Sequence, residues 1–501
     1  MDVNYNYKHA MLNFFLNFKK IVALLFLLIS FSLQQTGCKK LVEVDAPVTS
    51  ISAGNVYSND ETATSVLTGI YTTMSVSNSI DFTRPGIQSI SLFTGLSADE
   101  LTLFDLNNDN INNTNFYPYY SNSLTDLNVG IADFWINIYP IIFIANSAIE
   151  GLNNNSSLTS SVKQQLLGEA KFIRAFCYFY LVNLYGDVPL VTGTDPNVNA
   201  SLPRTPQTLV YQQIIADLKD AQNLLSANYL GADVTSTTSE RVRPTKWAAM
   251  ALLARVYLYT KDYVKAEAQA TDVINNSSFY GLSALDDVFL KNSTEAIWQL
   301  QPVRDGIDAN TGEGKLFILP DTGPNSDLYP VYLSNNVVNS FEIGDQRKMS
   351  WVDSVIVDNN IYYFPYKYKV GAIEAPVSEY IMVLRLGEQY LIRAEARANQ
   401  GNISGAVEDL NAIRSRAGLP GTTASDQTAL LMAIQHERQV ELFTEWGHRW
   451  FDLKRTNTVN TVMNSVTPQK GGIWNPNWQL YPISLSELQA DPKLVQNPGY
   501  N

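Results

Sequence analysis

Apolar residues recur every three to four positions along much of the chain, which is the spacing of helices that bury one face. This pattern predicts a helix over residues 60–78 and another over residues 128–152, where Pro140 would kink the helix or start a new one. Between them, residues 104–127 are rich in Asn and Tyr and show little apolar periodicity. We expect a loop there.

The strongest helical pattern is EAKFIRAFCYFYLVNLYGDVPL, from Glu169 to Leu190. It is apolar nearly all round, so we expect it at the centre of a helical core. Gly186 should end the helix, because Pro189 forbids its continuation. Cys177 lies within this helix and is interpreted as a small buried side chain without chemical activity.

Two later segments repeat one another with the spacing of tetratricopeptide-like helix pairs. In each segment, two alanines lie 12 residues apart on either side of a turn, so that the paired helices approach closely: Ala254 and Ala266, then Ala394 and Ala406. Residues 169–190 followed by residues 208–225 fit a third unit with a longer turn. The predicted fold class is therefore mainly α, a scaffold of helix pairs.

The stretch between the two repeats, about residues 280–380, is rich in aromatic residues, glycine and proline. Short strands and long loops are predicted there, packed on the helical scaffold. The chain is divided into a signal peptide at 1–38, an extended tether at 39–59, a helical region at 60–280 and a C-terminal region at 281–501, with the last two packed as one unit.

The N-terminus has the parts of an export signal: Lys19 and Lys20, an apolar run from Ile21 to Leu33, and small residues before Cys38. The 13-residue run is too short to cross a bilayer, which requires about 20 residues. A cysteine in this place resembles the bacterial lipoprotein signal, in which the N-terminal Cys carries acyl chains. Gln35 departs from that pattern, which prefers an aliphatic residue there, and a secreted, unlipidated cysteine is the alternative.

Charge and composition narrow the range of partners and functional sites that the chain can have. Loss of residues 1–38 removes three lysines and one aspartate and takes the formal net charge from −13 to −15, which argues against nucleic acid as a partner. After Cys38 only Cys177 remains, so no disulfide framework is available. His436 and His448 lie 12 residues apart and do not form a zinc motif, so no metal or cofactor is expected. Paired carboxylates for glycoside hydrolysis stay an open alternative.

A dense run of charges lies in HERQVELFTEWGHRWFDLKR, residues 436–455. Glu437, Glu441 and Glu445 are spaced to share one helical face, where like charges repel unless they are countered. We expect arginines from elsewhere in the chain to cross this face. An ion-pair network that joins the last helices to the core is the favoured interpretation, and an acid–base cluster is the alternative.

Five stretches in order resemble the SusD/RagB family of outer-membrane nutrient-binding lipoproteins. They are EAKFIRAFCYFYLVNLYGDVPL, RPTKWAAMALLARVYLY, LRLGEQYLIRAEARA with LNAIRSRAGL, HERQVELFTEWGHRWFDLKR and YPISLSELQADPKLVQNPGY. The resemblance implies tetratricopeptide-like helix pairs with a loop-rich region. It also implies capture of an oligosaccharide at the cell surface, outside the outer membrane, beside a partner TonB-dependent (SusC-like) transporter.

Sugar-binding sites combine aromatic faces, on which pyranose rings stack, with amides, carboxylates and arginine for the hydroxyls. Two aromatic regions with polar neighbours fit this description, and the resemblance likewise places ligand contacts in loops. The glycan-binding candidates are Tyr117, Tyr119, Tyr120, Tyr329, Tyr332, Trp351, Tyr362 and Tyr363. Tryptophans on predicted helices are expected in the core, namely Trp135, Trp247, Trp446 and Trp450; Trp474 and Trp478 are expected to brace the C-terminus.

The predicted function is therefore that of a non-enzymatic, lipid-anchored receptor for an oligosaccharide. Three alternatives stay open at this point: a receptor for peptides, a helical-repeat scaffold that binds only protein, and an enzyme that cleaves the same glycan. An exposed apolar groove without an aromatic platform would favour the scaffold, whereas turnover of a polysaccharide would favour the enzyme.

Overall fold

In the computed structural model, residues 56–75, 87–104, 111–128, 134–302, 310–372 and 374–500 are described. The predicted signal peptide, Cys38 and the tether as far as residue 55 lie outside the described residues. The predicted boundary at residue 280 stays a prediction.

Eighteen α-helices lie in the described ranges. They are α1 Asp60–Ser75, α2 Ile90–Ser97, α3 Ile111–Tyr120, α4 Phe134–Asn154, α5 Ser160–Tyr185, α6 Pro196–Asn199, α7 Gln207–Leu224, α8 Lys246–Tyr259, α9 Tyr263–Ile274, α10 Gly312–Phe317, α11 Asn335–Val338, α12 Gln346–Trp351, α13 Leu386–Asn399, α14 Ile403–Arg416, α15 Gln427–Glu441, α16 His448–Arg455, α17 Val459–Gln469 and α18 Leu485–Ala490. The mainly α prediction is confirmed.

Six short strands form three antiparallel pairs within the same ranges. The strands are β1 Leu101–Leu103, β2 Ala296–Leu300, β3 Val331–Leu333, β4 Val352–Val357, β5 Asn360–Pro365 and β6 Ile381–Arg385. The pairs are β1 with β3, β2 with β6, and β4 with β5. Five of the six lie between the two repeats, as the aromatic, loop-rich composition of residues 280–380 predicts.

The helix pairs form one continuous stack. α5 packs on α7, α7 on α8, α8 on α9, α9 on α13 and α13 on α14 and α15. The two repeats that are far apart in sequence are thus neighbours in space. The four paired alanines are all fully buried: Ala254, Ala266, Ala394 and Ala406. Their small side chains let the helices pack closely, and a larger side chain at any of these positions would hold the helices apart.

The two repeats turn in the same way. Lys261 and Gly401 occupy equivalent positions and both have left-handed backbone angles, with φ of 61° and 79°. The next residue caps the second helix in each repeat: the Asp262 side chain accepts a hydrogen bond from the Lys265 N–H, and the Asn402 side chain accepts one from the Gly405 N–H. The repeated spacing therefore reflects a repeated turn geometry.

α5 is the centre of the core, as its sequence predicts, and it ends at Gly186, whose φ is 74°. Cys177 is fully buried in it, and burial raises the pKa of its thiol, which keeps it protonated and inert. α4 packs along α5 and runs through Pro140 without interruption, so the proline does not start a new helix. Among the described helices, α4 is the one long and apolar enough to span a membrane, and much of its apolar face is buried against protein.

The predicted loop at residues 104–127 is wrong in part, because α3 occupies residues 111–120 with Pro118 inside it. Local composition favoured a loop, but Phe116 and Tyr119 are buried against Phe93 of α2, with ring centroids 5.6 Å and 4.7 Å apart. Tertiary burial of aromatic rings overrides weak helix propensity here. The correction matters because α3 carries three of the predicted binding residues.

Candidate functional site

The pairing of β1 with β3 joins the two aromatic regions that the sequence keeps more than 200 residues apart. Thr102 lies opposite Tyr332 in this pair, and the Phe104 N–H donates to the Pro330 carbonyl at 2.8 Å just beyond it. β3 in turn packs beside β5, and α3 packs on β1. Rings from three chain segments therefore converge at one place.

Three partly exposed rings form the centre of this place. The Tyr332 and Tyr362 rings meet edge to face, with centroids 5.2 Å apart and planes at 87°. The Phe104 and Tyr362 rings meet in the same way at 6.0 Å and 75°. Each ring is thus held at a fixed angle by a neighbour, which limits the entropy lost when a ligand contacts it.

Tyr120 lies beneath these rings and is buried. Its phenol is desolvated, lies within electrostatic range of Tyr332 and Tyr117, and hydrogen-bonds with Thr102; burial is the main reason that the pKa of Tyr120 rises to about 12. Tyr117 of the same helix is partly exposed beside it. We call Phe104, Tyr117, Tyr332 and Tyr362, with Tyr120 beneath, the aromatic surface.

A polar loop borders the aromatic surface. Residues 320–329 pack against the β4–β5 hairpin at Gly323, where an added Cβ would lie 2.8 Å from the Val357 side chain and 4.0 Å from the Tyr362 ring. Asp321 and Asp327 are exposed on this loop. The Asn325 side chain accepts hydrogen bonds from the N–H groups of Asp327 and Leu328, which holds the loop in a turn. The loop that carries both carboxylates thus meets the aromatic surface at Gly323.

The predicted binding residues separate into two groups by burial. Tyr117, Tyr329, Tyr332, Tyr362 and Tyr363 are partly exposed. Tyr119 and Trp351 are corrections, since both are buried in the core: Tyr119 packs on Phe93 and Tyr481, and Trp351 donates its indole N–H to the Leu285 carbonyl. Neither ring offers a face to a ligand. Tyr329 precedes β3 and forms an isolated antiparallel bridge with Asn325, and Tyr363 packs against the core next to Tyr362.

Phe104 is the residue that the sequence argument missed. It directly follows β1 and precedes the Asn-rich run, so a strand ending in an aromatic residue before a polar loop was the available signal. A three-residue strand is too short for apolar alternation to reveal, and its partner β3 is distant in sequence.

The charged segment at residues 436–455 forms a buried ion-pair network, as predicted. Arg385 Nη1 lies 2.6 Å from Glu441 Oε1, and Arg385 Nε lies 2.7 Å from Glu445 Oε2. Arg347 Nη1 lies 2.6 Å from Glu437 Oε1. Arg416 also pairs with Glu441, and Lys367 with Glu445. The helix itself ends at Glu441, so Glu445 reaches the cluster from the following turn and not from the same helical face.

The electrostatics of the network are those of a structural cluster. Burial alone would raise the pKa of Glu441, but Arg416, Arg385 and Arg347 outweigh it and hold the pKa of this carboxyl well below its usual range. The same balance, with Arg385 and Lys367, lowers the pKa of Glu445. Both carboxylates stay ionised and enclosed. Over the described ranges, no group of three or more His, Cys, Asp or Glu side chains is arranged to hold a metal ion.

The tryptophans follow the predicted division with three exceptions. Trp135 and Trp450 are buried, and the Trp478 indole N–H donates to the Gly499 carbonyl near the C-terminus. Trp474 instead packs on Trp450 and donates its indole N–H to the Asn460 side chain. Trp446 is buried, but it lies in the turn before α16 and not on a helix. Trp247 is on α8 as predicted, yet its ring is partly exposed.

A helical-repeat scaffold with an aromatic surface built from its loops defines a SusD-like protein. Residues 94–258 match a SusD-like family described as starch-binding and associating with the outer membrane, and residues 353–500 match the SusD family. The chain belongs to the SusD/RagB family.

Individual relatives agree with this assignment. A SusD-like protein of Formosa agariphila is 26% identical over 437 residues, which cover 74% of this chain and 80% of the relative. The crystal structure of a SusD superfamily protein from Bacteroides vulgatus superposes with a TM-score of 0.74 at 19% identity, covering 88% of this chain and 99% of that one. A laminarin-binding SusD-like protein has a TM-score of 0.70 at 23% identity, covering 87% and 99%.

Proposed function

We propose that this protein captures an oligosaccharide on its aromatic surface at the outside of the cell and passes it to a TonB-dependent, SusC-like transporter of the outer membrane. The observation that carries the proposal is the convergence of Phe104, Tyr332 and Tyr362 beside a loop with exposed carboxylates. It is supported by membership of a family described as starch-binding and by the likeness to a laminarin-binding protein.

The chemistry of the surface suits a pyranose chain. Sugar rings have apolar faces that stack on aromatic rings, and hydroxyls that accept and donate hydrogen bonds at the edge. Tyr117, Tyr332 and Tyr362 supply both, because each ring ends in a hydroxyl. Asp321 and Asp327 supply acceptors at the border. The rings are fixed before the ligand arrives, so little side-chain ordering opposes binding.

The protein acts without covalent chemistry in this proposal. The carboxylates of residues 437–452 are engaged in ion pairs away from solvent. Binding and release are the functions that the described side chains support.

The membrane anchor in this proposal is Cys38 with its acyl chains. The described chain begins at residue 56, and the Tyr57 ring lies against α4 at Gly151, so closely that a Cβ there would be 2.1 Å from the ring. Seventeen residues lie between Cys38 and residue 56. They could span at most about 60 Å if fully extended.

The test is a titration of the purified protein with laminarin, soluble starch and a panel of other polysaccharides by calorimetry. The double variant Tyr332→Ala/Tyr362→Ala should lower the affinity for the bound glycan by about a hundredfold, since each stacked ring contributes about 1–1.5 kcal/mol. Tyr263→Ala, a partly exposed tyrosine on α9, is the matched control and should bind as wild type. Equal affinity of the double variant and the control would refute the proposal.

A further inference from the structure

A second depression lies on the helical scaffold, on the surface formed by α7, α8 and α9. Its volume is about 560 Å³. Its lining residues are Gln222, Asn223, Lys246, Trp247, Met250, Asp272, Asn275 and Asn276. None of them belongs to the aromatic surface or to the loops that form it.

Trp247 forms the apolar wall of this depression. Of the eight tryptophans in the chain, six are buried, and Trp247 and Trp478 are partly exposed. The Trp247 indole N–H donates to the Ala227 carbonyl at 3.0 Å, which fixes the plane of the ring. Lys246 Nζ lies 4.3 Å from the ring centroid, so an ammonium covers one face of the ring, and the rest of the ring packs partly against the core.

The polar side chains around Trp247 have unused hydrogen-bonding capacity. Within the described chain, the side chains of Gln222, Asn223, Asp272 and Asn275 make no hydrogen bond or ion pair, and the buried Asn276 Nδ2 has no partner. The Asn276 Oδ1 accepts a hydrogen bond from the Ser278 hydroxyl, which holds this amide at the edge of the depression. Four amides, one carboxylate and one ammonium beside a fixed indole are the groups that sugar hydroxyls require.

We infer that this depression is a second carbohydrate site, in which a pyranose ring of an oligosaccharide stacks on Trp247. The Lys246 ammonium moves off the ring and donates to a sugar hydroxyl, while Asn275, Asn276 and Asp272 bind the others. The ligand class rests on the proposed function, but the site is separate from the aromatic surface. Two sites on one protein let a long polysaccharide bind twice, which raises its retention at the cell surface above that of either site alone.

The experiment is calorimetric titration with hexasaccharides of laminarin and starch and with any other short glycan that the protein binds. Wild type should bind two molecules per chain, and Trp247→Ala should bind one. Trp478→Ala is the matched control, because Trp478 is also partly exposed and also donates its indole N–H to a backbone carbonyl. It should keep both sites.

A second variant guards against a folding defect in Trp247→Ala. Asp272 and Asn275 are exposed and unpaired, so Asp272→Ala/Asn275→Ala should fold as wild type and weaken one of the two sites about tenfold or more. Tyr332→Ala/Tyr362→Ala should remove the other site and leave this one. One molecule per chain, unchanged in both α8–α9 variants, would overturn the second site while the proposed function stands; no glycan bound by wild type would overturn both.

Discussion

Arg385, the last residue of β6, donates from Nη1 to Glu441 Oε1 at 2.6 Å, and Glu441 is the last residue of α15. The same guanidinium donates from Nη2 to the Glu441 carbonyl at 2.8 Å and from Nε to Glu445 at 2.7 Å. One side chain thereby ties the buried β2–β6 pair to the end of the final repeat helix and to the turn that follows it.

Arg385→Ala should lower the free energy of unfolding by about 3–5 kcal/mol, because it leaves Glu441 and Glu445 short of a buried partner. Denaturant unfolding measures this loss. Lys265→Ala is the control: Lys265 pairs with Asp262 at 2.5 Å, but the lysine side chain is 60% exposed and the pair is screened by solvent, so its loss should leave the free energy of unfolding nearly unchanged. A similar small change for Arg385→Ala would contradict a structural role for the network.

The change of the free energy of unfolding with pH should depend on Glu100. Burial, with a smaller contribution from Asp99, raises the pKa of this carboxyl to about 8, although it accepts a hydrogen bond from the Thr444 N–H. Because the folded state then holds the proton more tightly than the unfolded state, stability falls as pH rises from about 4.5 to 8. Glu100→Gln should remove this loss.

The expected gain for Glu100→Gln is on the order of 4 kcal/mol at pH 8 and close to zero at pH 4.5, measured as the difference from wild type. Glu61→Gln, on the exposed surface of α1, should follow wild type at both values. A gain that does not grow with pH would show that the Glu100 carboxyl ionises normally in the folded protein.

The equivalent turn positions Lys261 and Gly401 give a reciprocal pair of substitutions. A left-handed backbone is unfavourable for a residue with a Cβ, so Lys261→Gly should raise the free energy of unfolding by about 0.5–1 kcal/mol. Gly401→Ala should lower it by about 1 kcal/mol; no atom lies within 4 Å of the added Cβ, so only backbone strain acts. Shifts of the same sign in both variants would contradict this account.

If Cys38 carries the anchor as proposed, Cys38→Ala should release the protein from the membrane fraction and abolish its labelling by a fatty-acid probe, because acyl chains buried in the bilayer would be lost. Cys177→Ala is the natural control, since it removes the other cysteine, which is fully buried in α5. That variant should remain labelled and membrane-bound. Persistent labelling of Cys38→Ala would refute the anchor.

The helical scaffold was predictable because its signals are local. Alanine spacing, the apolar run of α5 and the charges around Glu441 each lie within a few helical turns of sequence. The aromatic surface was predictable only as two separate regions, since its assembly depends on the pairing of Thr102 with Tyr332 across more than 200 residues. Burial could not be read from composition: Tyr117 and Tyr119 are two residues apart on α3, yet one is partly exposed and the other lies in the core.

α9 ends at Ile274 and α13 begins at Leu386, and the two helices pack on each other. The chain therefore leaves the helical scaffold after α9 and rejoins it beside the same helix. The β2–β6 pair closes this excursion at its base, where Ala296 lies opposite Arg385. A loop whose two ends are fastened together tolerates changes in the length of its exposed segments at a small entropic cost. Tyr332 and Tyr362 both lie on this closed insert, whereas Arg347, Trp351 and Lys367 anchor other parts of it in the core. In the proposed function, ligand preference can therefore change at the exposed rings while those buried side chains hold the insert on the helices.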